Sequence, residues 1–403
     1  MRCDWRTIAF GDLLEEPVRN GLTKPKAIRG TGVKMIAMGE IFAYSRIADV
    51  VTDRVPVTEK ELQNCSIKPL DILFARQSLT LEGAGKCSIV IDVLEDTVFE
   101  SHLIRTRVDK RKADPFFLYY YFNSTHGKEN IQSIVEQVAA AGIRGSDLIK
   151  LSVPYPCLET QRKISAILRS LDDKIELNNK INENLERQAM AIFKSWFVEY
   201  TPFGGTAPKE WRNVILDNIT SLVTRGIAPK YSDNSDQTVI NQKCIRNHMI
   251  DLSLARKHTP KAINEKRLQY GDLLINSTGT GTLGRTAQVW FEPKNLTVDS
   301  HVTIARPAKE NLIFYIGLWG ISNEKEIESL HTGSTGQTEL PRERVKAMEL
   351  LLPDNETLDR FNAIIAPMAA AIVSNQEENQ RLAEIRDALL PKLMSCELVV
   401  PQG

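Results

Sequence analysis

Three groups of residues in this 403-residue chain have types and spacings that could do chemistry, and each fails on its surroundings. Gly279-x-Gly281-x-x-Gly284 matches the dinucleotide-binding pattern and follows a strand-like run, Asp272 to Asn276. A dinucleotide loop must open a helix whose N-terminus holds the pyrophosphate, yet Arg285 to Trp290 reads as a strand. The stretch is therefore expected to be a hairpin tip. Its small and hydroxylated residues, Asn276, Ser277, Thr278, Thr280 and Thr282 beside Arg285, either let amides and hydroxyls approach a phosphate or base edge, or form a turn that needs glycine at positive φ. Gly85-Lys86 suggests a phosphate loop, but Thr80 stands where the first glycine should be, and Cys87 follows the lysine in place of Ser or Thr. His102 and His301 occupy matching strand-like contexts. A general base also needs an acid and a nucleophile; no pattern supplies them, so hydrogen-bonded structural histidines are expected. The six cysteines, Cys3, Cys65, Cys87, Cys157, Cys244 and Cys396, include no C-x-x-C pair. Neither a disulfide framework nor a zinc site is expected. No catalytic or metal-ligating residue is assigned.

The elements that would position these residues come in duplicate. Trp5-Arg6 and Trp211-Arg212 stand near the start of each half, and Glu159-Thr160 and Glu356-Thr357 open a long helical pattern at each end. Between them, Leu70-Asp71-Ile72-Leu73-Phe74 corresponds to Gly271-Asp272-Leu273-Leu274-Ile275, Gly85 to Val90 corresponds to Gly284 to Val289, and Thr97-Val98 with Ser101-His102 corresponds to Thr297-Val298 with Ser300-His301. A period of about 200 residues is far above that of a solenoid, so this is a duplicated domain. In the first half, strands are expected at Asp71 to Phe74, Ser88 to Val93 and His102 to Val108, and helices at Phe116 to Phe122 and around Ile131 to Ala141.

Each half ends in a coiled-coil seam. The first has Ile164, Leu171, Leu185 and Ile192 at a with Leu168, Ile175, Ala189 and Trp196 at d; the second has Phe361, Met368, Leu382 and Leu389 at a with Ile365, Ile372 and Leu393 at d. Arg386 interrupts a d position, and Pro367 and Pro391 would kink or end the second helix. Polar residues break both seams at the same place, Asn178 and Asn182 in one, Asn375 and Asn379 in the other. Paired across antiparallel helices, such amides would fix register. The fold class expected is mixed α/β: two duplicated α/β domains separated by two long helices forming an antiparallel coiled coil. The divisions fall at 1–157, 158–200, 201–353 and 354–403, with a linker from Thr201 to Pro208.

Net charge is zero, so a polyanion-binding surface would have to be local. Residues 17–39 offer Arg19, Lys24, Lys26, Arg29 and Lys34 with no acid, and residues 221–270 hold nine Lys or Arg against four Asp or Glu. Residues 354–397 carry four basic and eight acidic side chains. No apolar run reaches membrane-spanning length and no apolar leader opens the chain; a cytoplasmic protein with no membrane partner is expected. With its catalytic motifs failing, the chain looks like a reader with no obvious catalyst. A coiled-coil scaffold whose α/β modules bind protein or carbohydrate is the alternative class, and an enzyme using the glycine-rich loop on a nucleotide is a third.

The chain resembles the DNA specificity subunit (HsdS) of type I restriction-modification systems along essentially its whole length. The resemblance is carried by Pro156 to Ile164 leading into Leu171 to Leu185, by Phe193-Lys-Ser-Trp-Phe197, and by Asn276 to Arg285, Thr297 to His301 and Gly333 to Gln337. The first half departs at Ala75-Arg-Gln-Ser78, where the second has Asn276 to Gly279. The resemblance implies target-recognition domains that each read one half of a bipartite site in double-stranded DNA. It implies helices that set the spacer and dock two modification (methyltransferase) subunits, and motor/restriction subunits in the full complex. S-adenosylmethionine, ATP and Mg would belong to those partners and no cofactor to this chain. A seam of 33 residues from Ile164 to Trp196 spans roughly 50 Å at about 1.5 Å per residue, against some 34 Å per DNA turn. Expected DNA contacts lie at loop tips: Lys24, Lys26, Arg76, Gln77, Ser78 and Arg144 in the first domain, and Arg225, Lys230, Asn276, Thr278, Thr280, Arg285, Ser334, Thr335 and Gln337 in the second.

Overall fold

In the computed structural model, which describes residues 5–137, 141–259, 264–279, 281–333 and 338–398, Ile72–Ala75 lies between Leu103–Thr106 and Cys87–Val90 and is antiparallel to both. Arg19–Asn20 and Arg46–Ile47 complete this five-stranded sheet at its edges. The three central strands are buried along their full length, because both faces are covered. Ile72 and Phe74 point to a core shared with the helix Pro115–Asn123, while Leu73 and Ala75 point to one with Ile36, Ile41 and Phe99. That alternation is the two-residue period of a strand. A second sheet sets Val33–Ile36 between Arg54–Val55, antiparallel, and Thr97–Phe99, parallel.

The second half repeats this plan. Leu273–Asn276 lies between Val302–Pro307 and Thr286–Gln288, antiparallel to both, with Thr220–Arg225 at the edge. Thr238–Ile240 pairs antiparallel with Arg256–Lys257 and parallel with Leu296–Val298. Leu273 and Ile275 face the helix Ile313–Ser322, as Ile72 and Phe74 face theirs.

The long patterns form two helices of 40 residues, the central helix Leu158–Phe197 and the C-terminal helix Asn355–Met394. Pro367 and Pro391 do not end the second one. A proline removes one N–H and its bond to the preceding turn, and the buried row Phe361, Ile365, Ala369 and Ile372 on the same helix holds the segment against that loss.

The chain divides into two compact units, residues 1–176 with 379–403, and residues 177–378. Within each, the segments of the two helices run antiparallel. In the first unit Ile164 and Leu168 share a core with Leu393 and Met394, and Asp172 meets Arg386. In the second Asn182 meets Asn375, and Phe193 meets Phe361. The seams drift from a strict heptad: Leu171 and Ile192 are half-buried while Asp172, Phe193 and Phe197 are buried. The α/β cores cover these positions from the side, Asp172 meeting Tyr120 and Phe193 meeting Tyr315.

Two expectations need correction. The helix around Ile131 is Thr125–Gln132, and the chain beyond it is extended: Glu136–Gln137 pairs with Ala141–Gly142, which pairs with Gln77–Ser78. β-Branched Ile134 and Val135, together with the backbone partners offered by Gln77 and Ser78, outweigh the helical spacing. Cys396 is disulfide-bonded, whereas Cys65, Cys87, Cys157 and Cys244 are free; spacing alone sees only local cysteine pairs. Among the described residues no helix is long and apolar enough to cross a membrane.

Candidate nucleic-acid interface

In the first unit the strand Ile72–Ala75 runs directly into Arg76, Gln77 and Ser78, and these three lie beside two other segments. The Arg76 amide donates to the His102 carbonyl at 2.7 Å, and the Arg76 carbonyl accepts from the Ile143 amide at 2.9 Å, one residue before Arg144. Arg76 Nη1 donates to the Ser101 carbonyl at 3.2 Å, and Gln77 Oε1 lies 2.8 Å from His102 Nδ1. Arg144, exposed, pairs with Glu136 at 2.6 Å. The fold thus brings Arg76, Gln77, Ser78 and Arg144 to one place. Lys24 is committed elsewhere: its ammonium bonds both oxygens of Glu61 at 2.9 and 3.1 Å, and Glu61 also closes the capping box of Glu59–Cys65. Lys26 is exposed on a short 3-10 turn. The acid-free stretch 17–39 acquires acids in space, since Arg29 pairs with Asp53 at 2.9 Å and Lys34 with Asp49 and, at 3.3 Å, Glu95.

In the second unit the glycine-rich stretch is the turn between Leu273–Asn276 and Thr286–Gln288, a hairpin. Gly279, Gly281 and Gly284 take φ of 103°, 71° and 82°, conformations that suit glycine. A side chain at Gly279 would also strike Thr282 Oγ1 at 2.3 Å. Asn276 corrects the expectation of a tip residue. It is fully buried, its Nδ2 donates to the Gln242 carbonyl at 3.1 Å, and it forms the floor under the turn. Thr278 is the residue that emerges. Its hydroxyl donates to Gln242 Oε1 at 3.0 Å and lies 2.8 Å from His301 Nδ1, and its backbone bridges to Glu339. Arg225 reaches the same segment, pairing with the Glu339 carboxylate and donating to the Leu340 carbonyl at 2.7 Å. Arg285 is half-buried directly after Gly284, and Lys230 is exposed. Thr280, Ser334, Thr335 and Gln337 lie outside the described residues.

Both clusters stand on the same frame. Gly21 and Gly226 are equivalent: a Cβ on either would meet a carbonyl oxygen at 2.0 Å, that of Phe99 or of Val298. Next to them Leu22 and Ile227 donate their amides to those same carbonyls at 2.8 and 2.9 Å. Beneath each sheet lies a bidentate ion pair, Arg107 with Asp71 at 2.7 and 2.8 Å, and Arg306 with Asp272 at 2.8 Å on both arms. Burial pushes the Asp272 carboxyl above the ordinary carboxylate range against the pull of Arg306. Sequence reasoning found the aspartates as part of the repeat and missed their arginines. It also missed Gln242, which holds both Asn276 and Thr278 from more than thirty residues upstream, where no local spacing points to it.

The helix positions chosen for register occupy the seam. In the second unit Asn182 is buried, accepts from Asn375 Nδ2 at 2.8 Å, and donates to the Ile372 carbonyl at 3.5 Å. Asn178, also buried, donates to Glu378 at 2.8 Å. Asn379 begins the C-terminal segment of the first unit and is half-buried. That unit carries its own polar layer. Asp172 accepts from Tyr120 at 2.6 Å and from Arg386 at 2.7 Å, while Arg46 pairs with Asp173 and, at 2.9 Å, Glu176. Burial lowers the Arg386 pKa, but the hydrogen bonds to Asp172 and Asp387 outweigh it and hold the guanidinium above its usual range.

Comparison with known proteins gives a consistent answer. Residues 3–187 match the family model described as the type I restriction modification DNA specificity domain. The chain is 26% identical to the type I restriction enzyme MjaIX specificity subunit of Methanocaldococcus jannaschii, over 94% of this chain and 90% of that one. It is 24% identical to the HindI specificity subunit of Haemophilus influenzae, over 98% and 100%. The fold is that of the type I restriction-modification S subunit from M. genitalium, whose crystal structure superposes with a TM-score of 0.55 at 15% identity, covering 97% of this chain and 96% of that one. With its duplicated α/β frame and paired helix segments, the chain is similar along its length to type I restriction-modification specificity subunits, HsdS, and its residues 3–187 match their DNA specificity domain.

Proposed function

We propose that this chain is the sequence-specific DNA-binding subunit of a type I restriction-modification complex, each recognition domain reading one half of a bipartite duplex target. The observation that carries this reading is the contrast between frame and tips. Backbone pairing, glycines and buried ion pairs repeat from one half to the other, while the emerging residues differ, Arg76-Gln77-Ser78 against Thr278-Gly279 above a buried Ser277. Arg can pair with guanine and Gln with adenine in the major groove, so differing tips on a common frame supply two sequence preferences. On this reading the domains correspond to residues 1–157 and 201–353, and the helices 158–200 and 354–403 fix the spacer and dock two modification subunits. The chain itself is non-catalytic. Methylation and cleavage, with S-adenosylmethionine, ATP and Mg, fall to modification and motor subunits in the cytoplasm. A methylome of the host with and without this gene tests it: one split motif should disappear on deletion, and an unchanged methylome in a host that expresses the partner subunits refutes the reading.

The helices supply a second expected result. Four residues inserted after Asn182 lengthen the central helix by about 6 Å, close to two base pairs of about 3.4 Å, and add about one turn, so the seam nearly keeps its phase. The methylated motif should gain about two base pairs of spacer with both half-sites unchanged. A motif of unaltered spacing shows that the helix is not the ruler.

A further inference from the structure

We propose that His102 and His301 are matched contacts to the DNA phosphate backbone, one in each recognition domain; this rests on the DNA-reading function above. The two histidines occupy one position of the repeated frame. The carbonyl of His102 accepts from the Arg76 amide at 2.7 Å, and that of His301 from the Ser277 amide at 2.8 Å, so each sits opposite the residue where the central strand becomes the recognition tip. Both rings are exposed. An exposed imidazole with nothing to do would be free to rotate, yet each is fixed through Nδ1, to Gln77 Oε1 in one unit and Thr278 Oγ1 in the other, at 2.8 Å in both. Fixing Nδ1 leaves Nε2 on the outer edge of the ring.

The anchors differ while the histidine repeats. Gln77 holds His102 alone, whereas Thr278 is itself held by Gln242 at 3.0 Å. What the two units share is therefore the presented nitrogen, not the means of presenting it. Two half-sites of different sequence likewise share only one chemistry, the phosphodiester, because base edges change and phosphates do not. A residue common to both readers suits the common ligand, and the residues that differ around it suit the bases. Gln77 Oε1 can only accept and Thr278 Oγ1 gives its own hydrogen to Gln242, so Nδ1 carries the hydrogen in both rings. Nε2–H is present on the doubly protonated ring, and that imidazolium would donate it to a phosphate oxygen, a charge-assisted hydrogen bond. Arg76 lies next to His102 through their backbone bond, so a positive charge flanks that position, whereas on the segment that Thr278 bridges the Arg225 guanidinium is paired with Glu339.

The test uses the full chain assembled with its modification subunits, bound to two duplexes: one carrying the motif found in the host methylome and one of random sequence. His102→Gln and His301→Gln should each weaken both complexes by a similar factor, roughly 10-fold or more for a hydrogen bond to a charged group, with the preferred bases unchanged. Gln77→Leu and Thr278→Val release the rings without removing them and should give smaller losses of the same uniform kind. Loss of preference at a single base position would make the histidine a base reader and overturn the proposal. So would unchanged affinity, including the case in which only the unfolding temperature falls. If the wild-type complex prefers no motif, the parent reading fails instead, and the two failures are told apart by that control.

Discussion

Replacing Asp172 by alanine should destabilise the first unit by roughly 3 to 5 kcal/mol, the usual cost of breaking a buried ion pair from one side. Asp172 is 6% exposed and accepts from Tyr120 Oη and Arg386 Nη1. Tyr120, on the helix Pro115–Asn123, is 2% exposed, and without the carboxylate its hydroxyl would be buried with no partner. Arg46, its side chain 5% exposed, would keep Asp173 and Glu176 but lose the charge 4.0 Å away. Three segments meet at this one side chain: the α/β core, the central helix and the C-terminal helix. In a unit of this size each kcal/mol moves the unfolding midpoint by about 2 to 4 °C, so the thermal transition should fall by roughly 6 to 20 °C. Asp172→Asn keeps an acceptor for Tyr120 and should lose less. A midpoint within 3 °C of wild type for Asp172→Ala would show that the cluster is dispensable.

That cluster also shows what the sequence could and could not reveal. Arg386 read as a defect in the seam, because a heptad pattern registers polarity and not partnership. Its partner, Asp172, lies one residue past a predicted core position and is buried by Tyr120 of the α/β core and by Arg386 itself. The amides at 178, 182 and 375 were legible because they break an apolar pattern at equivalent points. The duplication itself was legible in strands that are covered on both faces, since Ile72 to Phe74 and Leu273 to Ile275 must stay apolar throughout. The short strands Glu136–Gln137 and Ala141–Gly142 were not legible: their pairing with Gln77–Ser78 is decided by a partner some sixty residues away.

The candidate interface was legible by position more than by role. Arg76, Gln77, Ser78 and Arg144 do converge, and so do Arg225 and Thr278, but Lys24 is absorbed by Glu61 and Asn276 by the floor of its turn. Charge counted along the chain overstated the basic surface at residues 17–39, because Asp49, Asp53 and Glu61 arrive from later segments. Gln242 and the arginines of the paired Asp-Arg bridges left no trace in spacing. Tertiary partners of this kind become visible only when the strands are assembled.

Arg306→Leu should destabilise the second unit by roughly 3 to 5 kcal/mol, and Asp272→Leu with Arg306→Leu together by much less. Asp272 is fully buried and its carboxyl is raised by that burial despite a bidentate guanidinium, so desolvation absorbs most of what the pair's attraction returns. Breaking the pair strands a buried charge; removing both partners removes the desolvation cost with the attraction. One complication favours keeping the pair. Arg306 Nη2 also donates to the Arg267 carbonyl at 2.8 Å and Nη1 to that of Glu265 at 3.2 Å, which ties the segment before Leu268 to the sheet beneath the recognition turn. The double variant should therefore regain most of the lost unfolding free energy in a denaturant titration, yet exchange the Arg267 and Glu265 region faster in hydrogen-exchange measurements. If the double variant is as unstable as Arg306→Leu alone, the pair is a net stabiliser and the desolvation argument fails. The same comparison at Asp71 and Arg107 should behave less cleanly, because Arg107 has a second acid, Glu16 at 2.7 Å, to keep it from being stranded.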